Sequence, residues 1–305
     1  MSIIENNPLI SIALATYNGE EYLAAQLDTL INQTYKNLEI VICDDCSKDS
    51  TPLIIEEYQK RDSRIKFYPN SENLGFNLNF ERAFKLCNGD YIAISDQDDI
   101  WMLDKIEIVL KAWENGVVLA HHSAKPFVAD PLPNILITNE VRAFSGNQIE
   151  TLLKNNTVQG CTIVFKRELL KFALPLSRNV LYDWWLSVCA VHFGSIGYIH
   201  QNLIFHRRHL NSSHYSAVTS KAKFDSLQES ILLLDLVAVR LSLSDEQLAF
   251  VQQLQSVVKQ LQHKGFSIEA FLFFFKNGEF FYSRRKKRFP FFSYFIRSFR
   301  ESWGG

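Results

Sequence analysis

Asp90-Tyr-Ile-Ala-Ile-Ser-Asp-Gln-Asp-Asp-Ile-Trp101 is the stretch that decides the fold of this chain. Its apolar run, Tyr91 to Ile94, reads as a buried strand, and three carboxylates, Asp96, Asp98 and Asp99, follow it within four positions. In an extended chain Asp96 and Asp98 project to one side, so their charges repel unless a cation or hydrogen-bond donors lie between them. A hard divalent ion, Mg²⁺ or Mn²⁺, relieves that repulsion. Such ions favour oxygen ligands, usually take only one or two protein carboxylates, and leave other positions to water and substrate phosphates. In open α/β sheets, ligands bind beyond the carboxyl ends of the strands, where this cluster lies. Asp98 or Asp99 would also serve as the N-cap of a helix expected over Ile100 to Trp113, but a cap needs one Asp and not three.

Upstream, strand and helix patterns alternate. Leu9 to Ala15 is a buried strand, Thr16-Tyr-Asn-Gly19 a turn, and Glu20 to Asn32 a helix with Tyr22, Leu23, Leu27, Leu30 and Ile31 on one face. Leu38 to Cys43 is a second strand, and Pro52 sits in the first turn of a helix that runs to Arg61. A strand at Ile65 to Tyr68, a turn at Asn70 to Gly75 and a helix from Asn77 to Leu86 complete the pattern. Four strand-helix alternations argue an α/β fold with a doubly wound, mainly parallel sheet whose strand ends gather on one edge.

Composition sets the bounds. The 305 residues carry a net charge of −1, which argues against nucleic acid as a partner. No apolar run reaches about 18 residues and Met1 to Pro8 has no basic n-region, so neither a membrane span nor a signal peptide is expected. The expected compartment is the cytoplasm, where five cysteines without framework spacing remain free thiols. The first strand is followed by neither a Gly-x-Gly-x-x-Gly nor a P-loop pattern, so phosphate binding falls to the metal. A nucleotidyltransferase would be expected to carry a Gly-rich basic loop there, and Ala15 to Glu20 is neither.

Five motifs in order make the first hundred residues resemble the family 2 glycosyltransferases, most closely a bacterial rhamnosyltransferase-like branch that builds surface polysaccharide. They are Ile12 to Leu23, Gln33-Thr-Tyr35, Ile42 to Thr51, Asn73-Leu-Gly75 with Asn79-Phe80, and Ser95 to Trp101. The resemblance implies a GT-A fold and a nucleotide-sugar donor. It places Thr16, Tyr17, Asn18 and Glu20 at the nucleotide pocket with Gly75 and Asn79. It sets Asp45 on the pyrimidine, Asp96 and Gln97 by the ribose, and Asp98 on the metal. From the residues alone, Thr16, Asn18 and Asp45 are equally good turn formers, and Gly75 fits a left-handed turn.

Beyond Val117 the pattern is less regular. Val117 to Ala120 is a strand, and Lys125 to Asn139, with three prolines, is a loop or hairpin. Gln159 to Phe165 reads as a strand entered through a glycine, and the family places its Gly-Cys, here Gly160 and Cys161, beside the acceptor. In Leu181-Tyr-Asp-Trp-Trp-Leu186 the flanking apolar residues make a charged Asp183 expensive unless it is paired or functional. One of Trp184 and Trp185 is expected to face a sugar, the alternative being a buried pair with Asp183 as a helix cap. The family motif is usually His-Asp-Trp-Trp and carries the catalytic base on its Asp, so Asp183 inherits that role while Tyr182 replaces the His. Phe205 to Asn211 holds four cationic or titratable side chains, ordinarily a solvated surface. By the resemblance its His209 completes the metal site, with His206 and His214 as alternatives.

After Ser216 the resemblance ends, dividing the chain into a 1–215 catalytic domain (nucleotide-sugar half 1–110, acceptor half 111–215) and a 216–305 helical, basic-aromatic extension. Phe224 to Ser242 and Asp245 to His263 read as an αα-hairpin. Phe271 to Trp303 interleaves aromatics with Arg284-Arg-Lys-Lys-Arg288, which suits either an anionic membrane surface or a core-packed helix with a charged face. The expected function is inverting sugar transfer from a UDP- or dTDP-sugar, dTDP-rhamnose included, to a hydroxyl of a saccharide or lipid-linked saccharide. The alternative is a catalytically impaired relative that binds the donor or a membrane partner.

Overall fold

A computed structural model of the chain describes residues 7–128, 143–208, 220–282 and 290–304. Outside the described residues lie His209, His214, most of the expected loop Lys125 to Asn139, and the run Arg284 to Arg288. Two compact units divide the rest: the first takes 7–128, 144–147 and 158–208, the second 143, 148–157, 220–282 and 290–304. Segment 148–157 thus joins the second unit, although a division after 215 assigns it to the acceptor half.

The first unit opens with β1 (Ile10–Thr16), α1 (Leu23–Ile31), β2 (Leu38–Asp44), α2 (Thr51–Arg61), β3 (Ile65–Pro69), α3 (Phe76–Leu86) and β4 (Tyr91–Ser95). β1 and β2 are buried almost throughout because helices cover both sheet faces, which is why these strands read as unbroken apolar runs. All four strands pair in parallel, and Thr16 opposite Asp44 and Leu14 opposite Ser95 bring three strand ends to one edge.

The second half adds β5 (Ile100–Trp101), α4 (Lys105–Lys111), β6 (Val117–Val128), β7 (Val164–Lys166), α5 (Leu170–Ala173), α6 (Tyr182–Phe193) and β8 (Ser195–Arg208). The eight-stranded order is β3-β2-β1-β4-β7-β6-β8-β5. β7 runs antiparallel to both β4 and β6, whereas β6 and β8 are parallel. The sheet is therefore mainly parallel, with one reversed strand at its centre and another, β5, at its edge.

Two local expectations are corrected. Ile100 to Trp113 is not one helix: Ile100 and Trp101 pair with Phe205 and Ile204, and the helix starts at Lys105. The long-range ladder wins because it buries Trp101, so neither Asp98 nor Asp99 caps a helix. Gln159 to Phe165 is not a continuous strand either. Residues Gly160–Thr162 form a 3₁₀ turn, closed by Thr162 N and Oγ1 donating to the Gln159 carbonyl at 3.0 and 2.6 Å.

Buried amides tie the strand ends together. Asn79, 2% exposed, donates from Nδ2 to the Cys43 carbonyl at 2.9 Å and accepts from Asn70 Nδ2 at 3.0 Å, while the same Asn70 amide donates to Asp45 at 2.7 Å.

The second unit contains α7 (Ser220–Arg240), α8 (Asp245–Gln260), β9 (Gly265–Phe266), α9 (Ile268–Lys276), α10 (Gly278–Tyr282), α11 (Pro290–Glu301) and β10 (Trp303–Gly304), which pairs antiparallel with β9. α7 and α8 match the expected helical pair, and a Ser244–Gln247 capping box starts α8. Lys154 anchors segment 148–157: its ammonium lies 4.1 Å from the Phe274 ring centroid and pairs with Glu301.

Asn79→Ala leaves the Cys43 carbonyl and the Asn70 amide short of a partner in the interior. Urea unfolding is expected to show a loss of about 1–3 kcal/mol. An unchanged midpoint would contradict the supporting role given to this network.

Candidate active site

The strand ends β1, β2 and β4 carry three loops that are hydrogen-bonded to one another before any ligand arrives. Thr16 Oγ1 donates to Asp44 Oδ1 at 2.8 Å. Asn18, held at φ 46°, donates its N–H to Ser47 Oγ and accepts from Lys48 N at 2.8 Å. Glu20 accepts from Ser50 N at 2.8 Å. Asp45 accepts from the backbone N–H groups of Leu74 and Gly75 at 2.7 and 2.9 Å, which fixes the loop that Gly75, at φ 82°, turns into α3. Gln97 holds both backbone groups of Tyr17, accepting from its N–H at 2.9 Å and donating to its carbonyl at 3.1 Å.

These contacts sort the nucleotide-site candidates. Thr16 and Asn79 are buried supports, while Asn18, Glu20, Asp45 and Gln97 use their polar atoms to set loop shape. The Tyr17 ring is 48% exposed beside them, an aromatic face open to a planar ligand. A Cβ on Gly19 would lie 2.3 Å from Gln97 Oε1, so a side chain there displaces the Gln97 amide.

The carboxylates behind this rim have divided roles. Asp99 is fully buried: Oδ1 meets His206 Nδ1 at 3.1 Å and accepts from Arg207 N at 3.3 Å, and Oδ2 has no partner among the described residues. Burial, followed by the charges of Asp99, Asp98 and Asp183, pushes the Asp96 carboxyl well above its usual range. Asp98 is oriented through its backbone, its carbonyl accepting from Arg207 Nε at 2.9 Å. The Arg207 guanidinium is stacked between the rings of Tyr22 and Phe127, at 4.5 and 4.6 Å.

Asp183 enters from the first turn of α6, and the Gly160 N–H donates to its Oδ2 at 3.1 Å. Tyr182, in the place of the usual His, packs its ring on Phe80 at 4.4 Å. Its hydroxyl crosses Gly160 so closely that a Cβ there would be 2.3 Å away, which explains the glycine. The expectation that one tryptophan of the pair faces outward is corrected: Trp184 and Trp185 are both buried, and Trp185 Nε1 donates to the Ala173 carbonyl at 2.8 Å. Near α6 the helix is surrounded, so adjacent rings find different packing partners rather than one core and one ligand.

Two further groups complete the cluster. Lys105 is wholly buried, with Nζ 3.3 Å from the Trp101 ring centroid and donating to the Cys161 carbonyl at 3.1 Å. Burial pulls its ammonium down to about 7, against the opposing pull of the Cys161 thiol, Asp99 and Asp96. Cys161 Sγ lies 3.6 Å from His206 Nδ1, and burial, then Asp99 and Asp96, push the thiol well above its ordinary value. Lys105 and the Asp99–His206 contact are not signalled in the sequence. Lys105 sits in what reads as a helical charge, and Asp99 meets residue 206 only through the β5–β8 pairing.

A divalent cation fits this donor set. Among the described residues, Asp99, Cys161 and His206 offer ligand atoms within 4.8 Å of one another, and Asp99 Oδ2 is an unpartnered buried carboxylate oxygen. The buried carboxylate oxygen and the imidazole are donors that a divalent ion takes.

A mixed α/β sheet with an acidic cluster at the ends of its parallel strands is the GT-A glycosyltransferase architecture. Residues 11–172 match the model of Glycosyl transferase family 2, and the chain belongs to that family. It is 31% identical over 236 residues to the dTDP-rhamnosyl transferase RfbG of Shigella flexneri, covering 70% of this chain and 78% of that one. It is also 31% identical over 182 residues to WfgD of Escherichia coli, a UDP-Glc:α-D-GlcNAc-diphosphoundecaprenol β-1,3-glucosyltransferase, covering 59% and 69%. The chain spans 66%, 69% and 35% of the length of the first three curated relatives it matches. Among solved structures, a Pyrobaculum calidifontis mannosyltransferase in complex with GDP-Man and Mn²⁺ superposes with a TM-score of 0.59 at 16% identity, covering 96% of this chain and 86% of that one.

Gly19→Ala pushes Gln97 off the Tyr17 backbone. Nucleotide affinity is expected to fall about tenfold as the β1 turn loosens, alongside a loss of about 1–3 kcal/mol of stability for the two hydrogen bonds broken. Full nucleotide affinity in this variant would remove Gln97 as the clamp of the β1 turn.

Proposed function

We propose that this chain is an inverting, metal-dependent hexosyl- or deoxyhexosyltransferase. It takes a sugar from a UDP- or dTDP-sugar, dTDP-rhamnose included, and places it on a hydroxyl of a growing, lipid-linked bacterial surface polysaccharide such as O-antigen or capsule. The observation that carries the reading is the nearness of Asp183, held by the Gly160 N–H, to the β4 carboxylates: its charge is one of those that push the Asp96 carboxyl up. The named activities of RfbG and WfgD support the donor classes, and the diphosphoundecaprenol acceptor of WfgD supports the lipid-linked one.

In this reading Tyr17 stacks on the base, Asp45 and the Gly75 turn border it, and Asp96 and Gln97 lie at the ribose. Asp183 receives the proton of the acceptor hydroxyl while that oxygen attacks the anomeric carbon from the face opposite the diphosphate. The bond from that carbon to the phosphate oxygen breaks, and the nucleoside diphosphate leaves with the electron pair. A carboxylate is a weak base for an alcohol, so proton transfer is late, after the attacking oxygen has become acidic. Asp98, with His209, would hold Mg²⁺ or Mn²⁺. The ion would supply Lewis-acid stabilisation of the charge on the leaving diphosphate. The Gly160 N–H keeps Asp183 aimed, and Cys161 borders the acceptor side.

No helix among the described residues is long and apolar enough to cross a membrane. We place the enzyme in the cytoplasm, at the inner face of the membrane that carries the lipid-linked acceptor.

Asp183→Asn keeps the size and the hydrogen bond to Gly160 but removes the base. Turnover is expected to drop by about 10²–10⁴-fold, with donor affinity within a few-fold of wild type by calorimetry. Near-normal turnover would exclude Asp183 as the base.

A further inference from the structure

Helix α11 is turned inside out. An amphipathic helix of a soluble domain ordinarily buries its apolar stripe. Here Ser298 and Ser302 are the fully buried residues of the segment, whereas Phe291 and Phe292 are 73% and 67% exposed, with Phe295, Ile296, Phe299 and Trp303 also in the open. The inward face is small because the contact is close: a Cβ on Gly278 would sit 2.8 Å from the Tyr294 ring, and the Ser302 carbonyl accepts from Ser267 N at 2.9 Å.

The outward rings are continuous. Phe275 lies 4.9 Å from Phe291, Phe271 5.3 Å from Phe295, and Phe266 5.2 Å from Phe299 and 5.6 Å from Trp303. Ile268 and Leu272 of α9 are exposed as well. A plateau of this kind is larger than the scattered apolar residues of ordinary surfaces and marks an interaction site.

Charge identifies the occupant. Residues 264–304 hold nine basic and three acidic side chains in a chain whose net charge is −1, and five of the basic ones, Arg284 to Arg288, directly precede α11 in sequence. The net positive charge of this stretch of sequence disfavours a second copy of the same segment as partner. An anionic bilayer complements both features, taking aromatic and aliphatic side chains into its headgroup boundary and basic side chains onto its phosphates.

We propose that α11, with the Phe266 and Trp303 hairpin and the outer side of α9, is a docking surface for anionic phospholipid bilayers, on which the helix lies in the interface plane. This deepens the membrane location proposed above and is independent of the transferase chemistry, because its readout is lipid partition.

The test is co-sedimentation of the full chain with vesicles of phosphatidylcholine alone or mixed with phosphatidylglycerol. The wild-type chain is expected to partition at least about tenfold more strongly onto the anionic vesicles and to be released by salt. Phe291→Ser/Phe292→Ser is expected to cut that partition about tenfold without lowering the unfolding midpoint, since both rings are exposed. Lys286→Glu/Lys287→Glu is expected to do the same through charge alone. Wild-type partition by the aromatic double variant would overturn the proposal. So would a wild-type chain that ignores anionic vesicles, or one that instead self-associates through this face in sedimentation velocity.

Discussion

Three acids at the end of one buried strand repel each other, and much of the first unit is arranged around containing that repulsion. The β5–β8 pairing brings His206 to Asp99 and Arg207 to the Asp98 carbonyl. Tyr22 and Phe127 hold the Arg207 guanidinium flat, so its charge stays beside the cluster without a carboxylate partner of its own among its described contacts. Lys105, a fully buried amine whose charged form burial disfavours, interacts with the same acids. Asp96 remains strongly disfavoured as an anion even so. A site kept short of positive charge is poised for a divalent ion and is a poor place for a merely structural cluster.

The parallel half of this fold was readable because its signals are local. Buried strands covered on both faces are unbroken apolar runs, and the alternation with amphipathic helices leaves few topologies. The downstream half resisted because its decisive contacts join distant residues. Ile100 and Trp101 have a helical-looking continuation, and only Phe205 and Ile204 turn them into a strand. Gly160 looks like the entry to a strand, and only the Tyr182 hydroxyl above it shows why it is a turn without a side chain. The tryptophan pair misled for a similar reason. Two adjacent helical residues share one core only if α6 has neighbours on more than one side, as it does.

The candidate site shows the same division. The motif residues around β1, β2 and β4 lie where their order in the chain suggests, but several act through the backbone of a neighbouring loop. Asp45 is the clearest case: its carboxylate is engaged by Asn70, Leu74 and Gly75, so it fixes the loop that leads into α3. Sequence also revealed the basic-aromatic character of the C-terminal segment, yet left open which side of its helix is buried. That answer came from two serines, Ser298 and Ser302, which are the buried residues of the segment while its phenylalanines stay exposed.

The most direct test of the account is a thermal-shift panel of UDP-, dTDP- and GDP-sugars on the full chain, each with Mn²⁺, Mg²⁺ or EDTA. A ligand that binds only the native state raises its stability by mass action. The account predicts a stabilisation with UDP- or dTDP-sugars that depends on the divalent ion and disappears in EDTA. A folded protein whose melting temperature is moved by none of these donors would contradict it.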